Sequence, residues 1–128
     1  MFINGENMIE APKGTGLETL LELDGEVFPM DNGFWVKFIA HKTPVNKHIP
    51  HGIKYSLTLH DRYNQRVIGY DNAHGIKPPQ KKKFSGRRDA WDHKYRKSSV
   101  YSYEFESAYQ LLEDFWNDVN AILESRGV

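Results

Sequence analysis

The sequence predicts a single α+β domain, an antiparallel β-sheet of about four to five strands with a C-terminal α-helix packed on one face. Three observations carry that expectation. Residues 34–43 and 54–61 alternate apolar and polar side chains with the period of two that a half-buried strand requires. The strand-like runs follow one another too closely for the dozen or more residues of a parallel crossover, so neighbours should pair antiparallel. Residues 107–126 carry apolar side chains at three- and four-residue spacing, the stripe of an amphipathic helix. A chain of 128 residues has room for one such core.

Taken in order, residues 1–16 contain Gly5, Pro12, Gly14 and Gly16 with little periodicity, and read as a flexible leader before a domain at 17–128. LLELDGEV, residues 20–27, reads as a strand or as two short arms around Asp24-Gly25. PMDNG, residues 29–33, is a turn signal. FWVKFIAHKT, Phe34 to Thr43, is the clearest strand, with Phe34, Val36, Phe38 and Ala40 on one face and Trp35, Lys37, Ile39 and His41 on the other. PVNKHIPHG then connects to KYSLTLHD, a strand with Tyr55, Leu57 and Leu59 on one face. For His48 and His51 in that connection the sequence assigns no role. His41 and His60 read as structural residues, and Trp35 and Trp116 as core or interface aromatics. A turn at Arg62 to Gln65 leads into RVIGYDNAH as the second arm of a hairpin. Residues 75–99 read as one long loop, and SVYSYEF, ending at Phe105, as the last strand. The helix should start at Ser107, which has capping-box spacing to Gln110, and stop at Gly127.

Composition narrows the function. With no cysteine, disulfides and thiolate metal sites are excluded. The first residues lack the basic start and apolar stretch of a signal peptide, and no run approaches the roughly 18 apolar residues of a membrane span. A cytoplasmic protein without a membrane partner is expected. The net charge of zero hides a segregation: residues 77–97 hold nine Lys or Arg against Asp89 and Asp92, a local balance of +7, so the remainder carries −7. Lys81, Lys82, Lys83, Arg87 and Arg88, with Lys94 and Lys97, form a candidate nucleic-acid-binding surface, because phosphate neutralisation and counterion release reward clustered cations. Phe84, Trp91 and Tyr95 interleave with them and are placed to stack on exposed bases. The plainer alternative is a solvated loop whose charge aids solubility.

Chemistry is expected where the strand of Tyr70 and Asp71 runs into this loop. Metal-free RNA cleavage needs a base for the 2′-hydroxyl proton, an acid for the leaving 5′-oxygen and a cation for the phosphorane. Histidine suits both proton roles and arginine the third. His74, His93 and Arg96 are the candidate set, with Tyr70, Asp71 and Lys94 in support. The alternative is that His74 caps a turn and His93 is an ordinary exposed loop residue. Asp71, His74, Asp92 and His93 also offer a mixed nitrogen and oxygen set for zinc or manganese. That set matches no ligand signature, and the lysines oppose a divalent cation, so neither a metal nor another cofactor is expected.

GLETLLELDGE, HGIKYSLTLHD, RVIGYDNAHG, DHKYR and YEFESAYQLLEDFWNDV together resemble the TumE family of bacterial toxin–antitoxin proteins, over about Gly16 to Leu123. The most distinctive boxes are Asp71–His74 and Asp92–Arg96. The insert Lys81–Arg88 is the part least like the family pattern. The resemblance implies a toxin with a helix-turn-helix antitoxin as partner, against which the acidic helix residues Glu113, Asp114, Asp118 and Glu124 either rest or are solvated. Small toxins of this size often cut RNA, so the expected function is a metal-independent endoribonuclease with RNA as substrate. The alternative is a non-catalytic module binding nucleic acid or an acidic partner. A transferase toxin has little support, since no glycine-rich phosphate loop follows any strand.

Overall fold

Alternation of side chains decides which face of each strand is buried, and in the computed structural model it does so as the pattern demands. Residues 16–72, 92–97 and 99–127 are described. Six strands, β1 (Val27–Pro29), β2 (Trp35–Lys42), β3 (Ile53–His60), β4 (Arg66–Asp71), β5 (His93–Arg96) and β6 (Ser99–Ser102), form one antiparallel sheet in sequence order. Val36, Phe38, Ala40, Tyr55, Leu57, Leu59, Ile68 and Tyr70 are buried on one face. Over them lies α2 (Ala108–Ser125), inserting Ala108, Leu111, Phe115, Val119 and Ile122. Phe38, Phe115 and Tyr70 meet edge to face at 5.6 and 5.9 Å between centroids, which adds directional attraction to the buried area.

The count of six strands exceeds the expected four to five for two reasons. A short β1 adds to β2, and the segment read as a loop to residue 99 contains β5 at its end. Residues 20–27 are also corrected. Leu17, Leu20 and Leu21 have helical spacing and form α1 (Leu17–Glu22), which packs on α2 and β2; only Val27 is strand. Gly16 before it has φ of +76°, and a Cβ there would lie 2.7 Å from the Tyr109 ring, so glycine is needed on both counts. At the start of α2, Ser107 Oγ accepts from Gln110 N at 3.0 Å. The Gln110 side chain donates onward to Asp114 rather than back to the cap, so half of the capping box forms. No described helix is long and apolar enough to cross a membrane.

Candidate active site

Pairing of β4 with β5 sets Asp71 opposite His93 and Gly69 opposite Tyr95, all on the face away from α2. His93 Nε2 lies 2.8 Å from Asp71 Oδ1 and 3.0 Å from the Tyr95 hydroxyl. A carboxylate only accepts, so the proton between Asp71 and His93 belongs on Nε2, and Tyr95 is the second oxygen that N–H faces. His93 has no exposed surface, whereas the Asp71 side chain keeps 14% and Tyr95 is half-buried. Burial first, and then the Asp71 charge, raise the Tyr95 phenol above its ordinary value, with Arg66 opposing them. Tyr95 is therefore a neutral donor at physiological pH.

Arg66 reaches this group through an irregularity in the sheet. The β3–β4 register shifts so that Leu59 pairs with Ile68 but His60 pairs with Arg66, leaving Val67 as an extra residue. Regular pairing would put Val67 opposite His60. The bulge instead lets Val67 bury with Ile68 and turns Arg66, which is exposed, to the face away from α2. Its guanidinium carbon sits 3.9 Å from the Tyr95 ring centroid, a cation–π contact. Gly69 leaves the room: a Cβ there would come within 3.3 Å of Arg66 Cδ.

The candidate residues are divided by the sheet. Asp71 and His93 are brought together. Tyr70 and Lys94 face α2, where the Tyr70 hydroxyl donates to Asp118 Oδ2 at 2.5 Å and Lys94 Nζ lies 3.3 Å from the same oxygen. Burial, and then Asp118, raise the Tyr70 phenol strongly. Arg96 shares the strand face of Lys94 and is exposed, so the structure does not bring it to His93. Lys97 occupies the β5–β6 turn with φ of +57°. His74, Lys81, Lys82, Lys83, Arg87 and Arg88 lie outside the described residues.

Asp92 also turns away from the pair. Its carboxylate accepts from the Tyr55 hydroxyl at 2.7 Å and meets His51 Nε2 at 3.4 Å. His51, to which the sequence assigned no role, thus pairs with Asp92, and its ring packs 3.9 Å from that of Phe105. Among the described residues no group of three or more His, Asp or Glu side chains is arranged to hold a metal. Asn72, fully buried, bonds Tyr55 N and Ile53 O at 2.9 Å and extends the ladder beyond β4, so the Asp71–His74 box is part site and part scaffold. The acidic helix residues differ as well: Asp114 accepts from the Tyr103 hydroxyl at 2.5 Å and Asp118 from Tyr70, while Glu113 and Glu124 are exposed.

Two members of the site escape a reading of the sequence. Tyr95 there is a base-stacking aromatic, and its link to His93 follows once 93–96 is a strand, because residues two apart share a face. Arg66 depends on the bulge, for which the sequence has no signal. The model of the family described as Toxin TumE matches residues 23–123 of the chain. No curated protein and no solved structure matches it.

Proposed function

As the chain belongs to the TumE toxin family, a family of toxins that implies an antitoxin partner, we propose that it acts as a metal-independent endoribonuclease and that its partner is a helix-turn-helix antitoxin. The observation that carries the nuclease reading is the sharing of His93 Nε2 between Asp71 and the Tyr95 hydroxyl, with Arg66 over the Tyr95 ring. A base takes the 2′-hydroxyl proton and O2′ attacks phosphorus. The P–O5′ bond breaks, and the acid protonates the departing 5′-oxygen, leaving a 2′,3′-cyclic phosphate and a 5′-hydroxyl. His74 is the proposed base. Tyr95 is the proton donor of this set with exposed surface, so it takes the acid role. The phenolate it leaves is stabilised by Arg66 and reprotonated through His93, which Asp71 orients and keeps in the Nε2–H form. Arg66 takes the role that sequence alone assigns to Arg96, since it shares a face with His93. The lysine run Lys81–Lys83 with Arg87, Arg88 and Lys97 is retained as the proposed backbone-binding surface, while Lys94, held by Asp118 on the α2 side, leaves it; cytoplasmic location is the proposed setting.

The test is cleavage of single-stranded RNA by purified protein in EDTA, with the products mapped for cyclic phosphate and 5′-hydroxyl ends. Cleavage that needs added metal, or that survives both Tyr95→Phe and His93→Ala in folded protein, overturns this reading. A non-catalytic nucleic-acid-binding module is the second reading, and the complete burial of His93 favours it. Under it, RNA binds but is never cut, and His93 serves only to pin β4 to β5.

A further inference from the structure

We infer that the sheet face opposite α2 is a single-stranded RNA platform, on which the stacked pair Trp35–His60 seats an unpaired base beside the Asp71–His93–Tyr95 group. The inference rests on the nuclease reading for its substrate and goes beyond it in assigning a binding subsite. The two rings lie 4.0 Å apart and 10° from parallel. Trp35 Nε1 donates to Asn64 Oδ1 at 3.1 Å and His60 Nε2 meets Thr58 Oγ1 at 3.0 Å, while His60 Nδ1 is buried and has no hydrogen-bond partner among the described residues. With Nδ1 shielded from solvent, what the pair offers a ligand is π surface. Neither side chain packs in the buried core, and both keep intermediate exposure. A stack held from both edges needs no rotamer ordering on binding, which lowers the cost of association.

The surrounding charge suits a phosphate chain. Among the strand residues of this face, Lys37, Lys54, Arg66 and His41 accompany the stack, and Asp71 is the one acid, already committed to His93. The opposite side of the molecule carries the acids of α2. Sheet register supplies the route between subsite and reaction group. Trp35, His60 and Arg66 form one row across the sheet, and Lys37, Thr58, Gly69 and Tyr95 form the next. Arg66 begins in the first row and ends over Tyr95 in the second, so one cation spans the step from stacked base to reacting phosphate. Burial, and then the charge of Arg66, lower the His60 pKa. The imidazole in the stack is therefore neutral under physiological conditions and stacks on any base.

Fluorescence anisotropy with a labelled single-stranded oligonucleotide of 2′-O-methyl nucleotides tests this, because the ligand lacks the nucleophile for cleavage and reports binding alone. Trp35→Ala should weaken Kd about tenfold, the scale of removing one base stack, while Trp35→Phe keeps most of the affinity. One abasic position in the oligonucleotide should weaken wild-type binding to a similar degree and leave folded Trp35→Ala unaffected. Unchanged affinity in folded Trp35→Ala overturns the inference, as does equal affinity for single strand and duplex or no binding by the wild type. Should Trp35→Ala fail to fold, an abasic scan on wild type with no sensitive position has the same force. Binding of the expected kind with no cut in the all-ribose oligonucleotide leaves the platform standing and removes the nuclease. Cleavage with affinity indifferent to Trp35 does the reverse.

Discussion

Tyr95 is where the proposed chemistry can be tested with least damage to the fold, because its hydroxyl is the outward end of a group whose histidine is fully buried. Tyr95→Phe removes that oxygen and leaves the ring under Arg66. Loss of a general acid lowers rate by roughly 10²–10⁴-fold, and the melting curve should barely move. Arg66→Ala should also lower the cleavage rate. Arg96→Ala should not, since Arg96 projects to the other side of the strand. His60 gives a pH signature independent of catalysis. Its folded pKa lies below the ordinary 6.5, so as pH falls the unfolded chain takes up this proton first. The His60 contribution to stability is complete above about 6.5 and is lost as pH drops below it. Thermal melting of wild type should therefore fall more steeply between pH 7.5 and 5.5 than that of His60→Gln. Equal slopes would show that His60 keeps its ordinary value.

Helix α2 is fastened to the sheet in two ways, and they should separate in urea. Phe115, with no exposed surface, packs on Phe38 and Tyr70; Phe115→Ala removes that packing and leaves a cavity, a destabilisation of about 3–5 kcal/mol. Asp118 accepts from the buried Tyr70 hydroxyl and from Lys94. Asp118→Ala strands the phenol and should cost about 1–3 kcal/mol, with no change in the RNA-binding face. This element was legible in the sequence, down to the Ser107 cap and the apolar stripe. Helix α1 was not. With six residues it is too short for periodicity to separate it from a strand, and its form is set by packing on α2 and β2. Strand β5 was hidden for a related reason. The cations of DHKYR look like loop composition, yet Lys94 is held by Asp118, and the backbone of β5 is paired on both sides by β4 and β6.

At the scale of the whole sheet, the described residues of its two sides differ in charge. The described strands carry Lys37, Lys54 and Arg66 opposite α2, while Glu113 and Glu124 lie on α2 itself. Nucleic-acid binding by such a surface should weaken linearly in log Kd against log salt. Replacing Lys81, Lys82 and Lys83 together by alanine should reduce that slope by about 1 for each phosphate that is no longer neutralised, without abolishing the sensitivity to an abasic position that the Trp35 stack confers. Anisotropy titrations of the intact and the abasic oligonucleotide across a salt series measure both quantities. An unchanged slope would remove the lysine run from the binding surface.

The sequence by itself determined the α+β class, the buried faces of β2 and β3, the β3–β4 hairpin and the closing helix, because each depends on a local period or cap that a few neighbouring residues carry. It also singled out Asp71 and His93. Only the tertiary structure decided that these two meet, that Tyr70, Lys94 and Arg96 lie on the other side of the sheet, and that Arg66 joins Tyr95. Those outcomes turn on strand register, which long-range pairing sets. One extra residue at Val67 moves Arg66 from one face to the other, and no local pattern announces it.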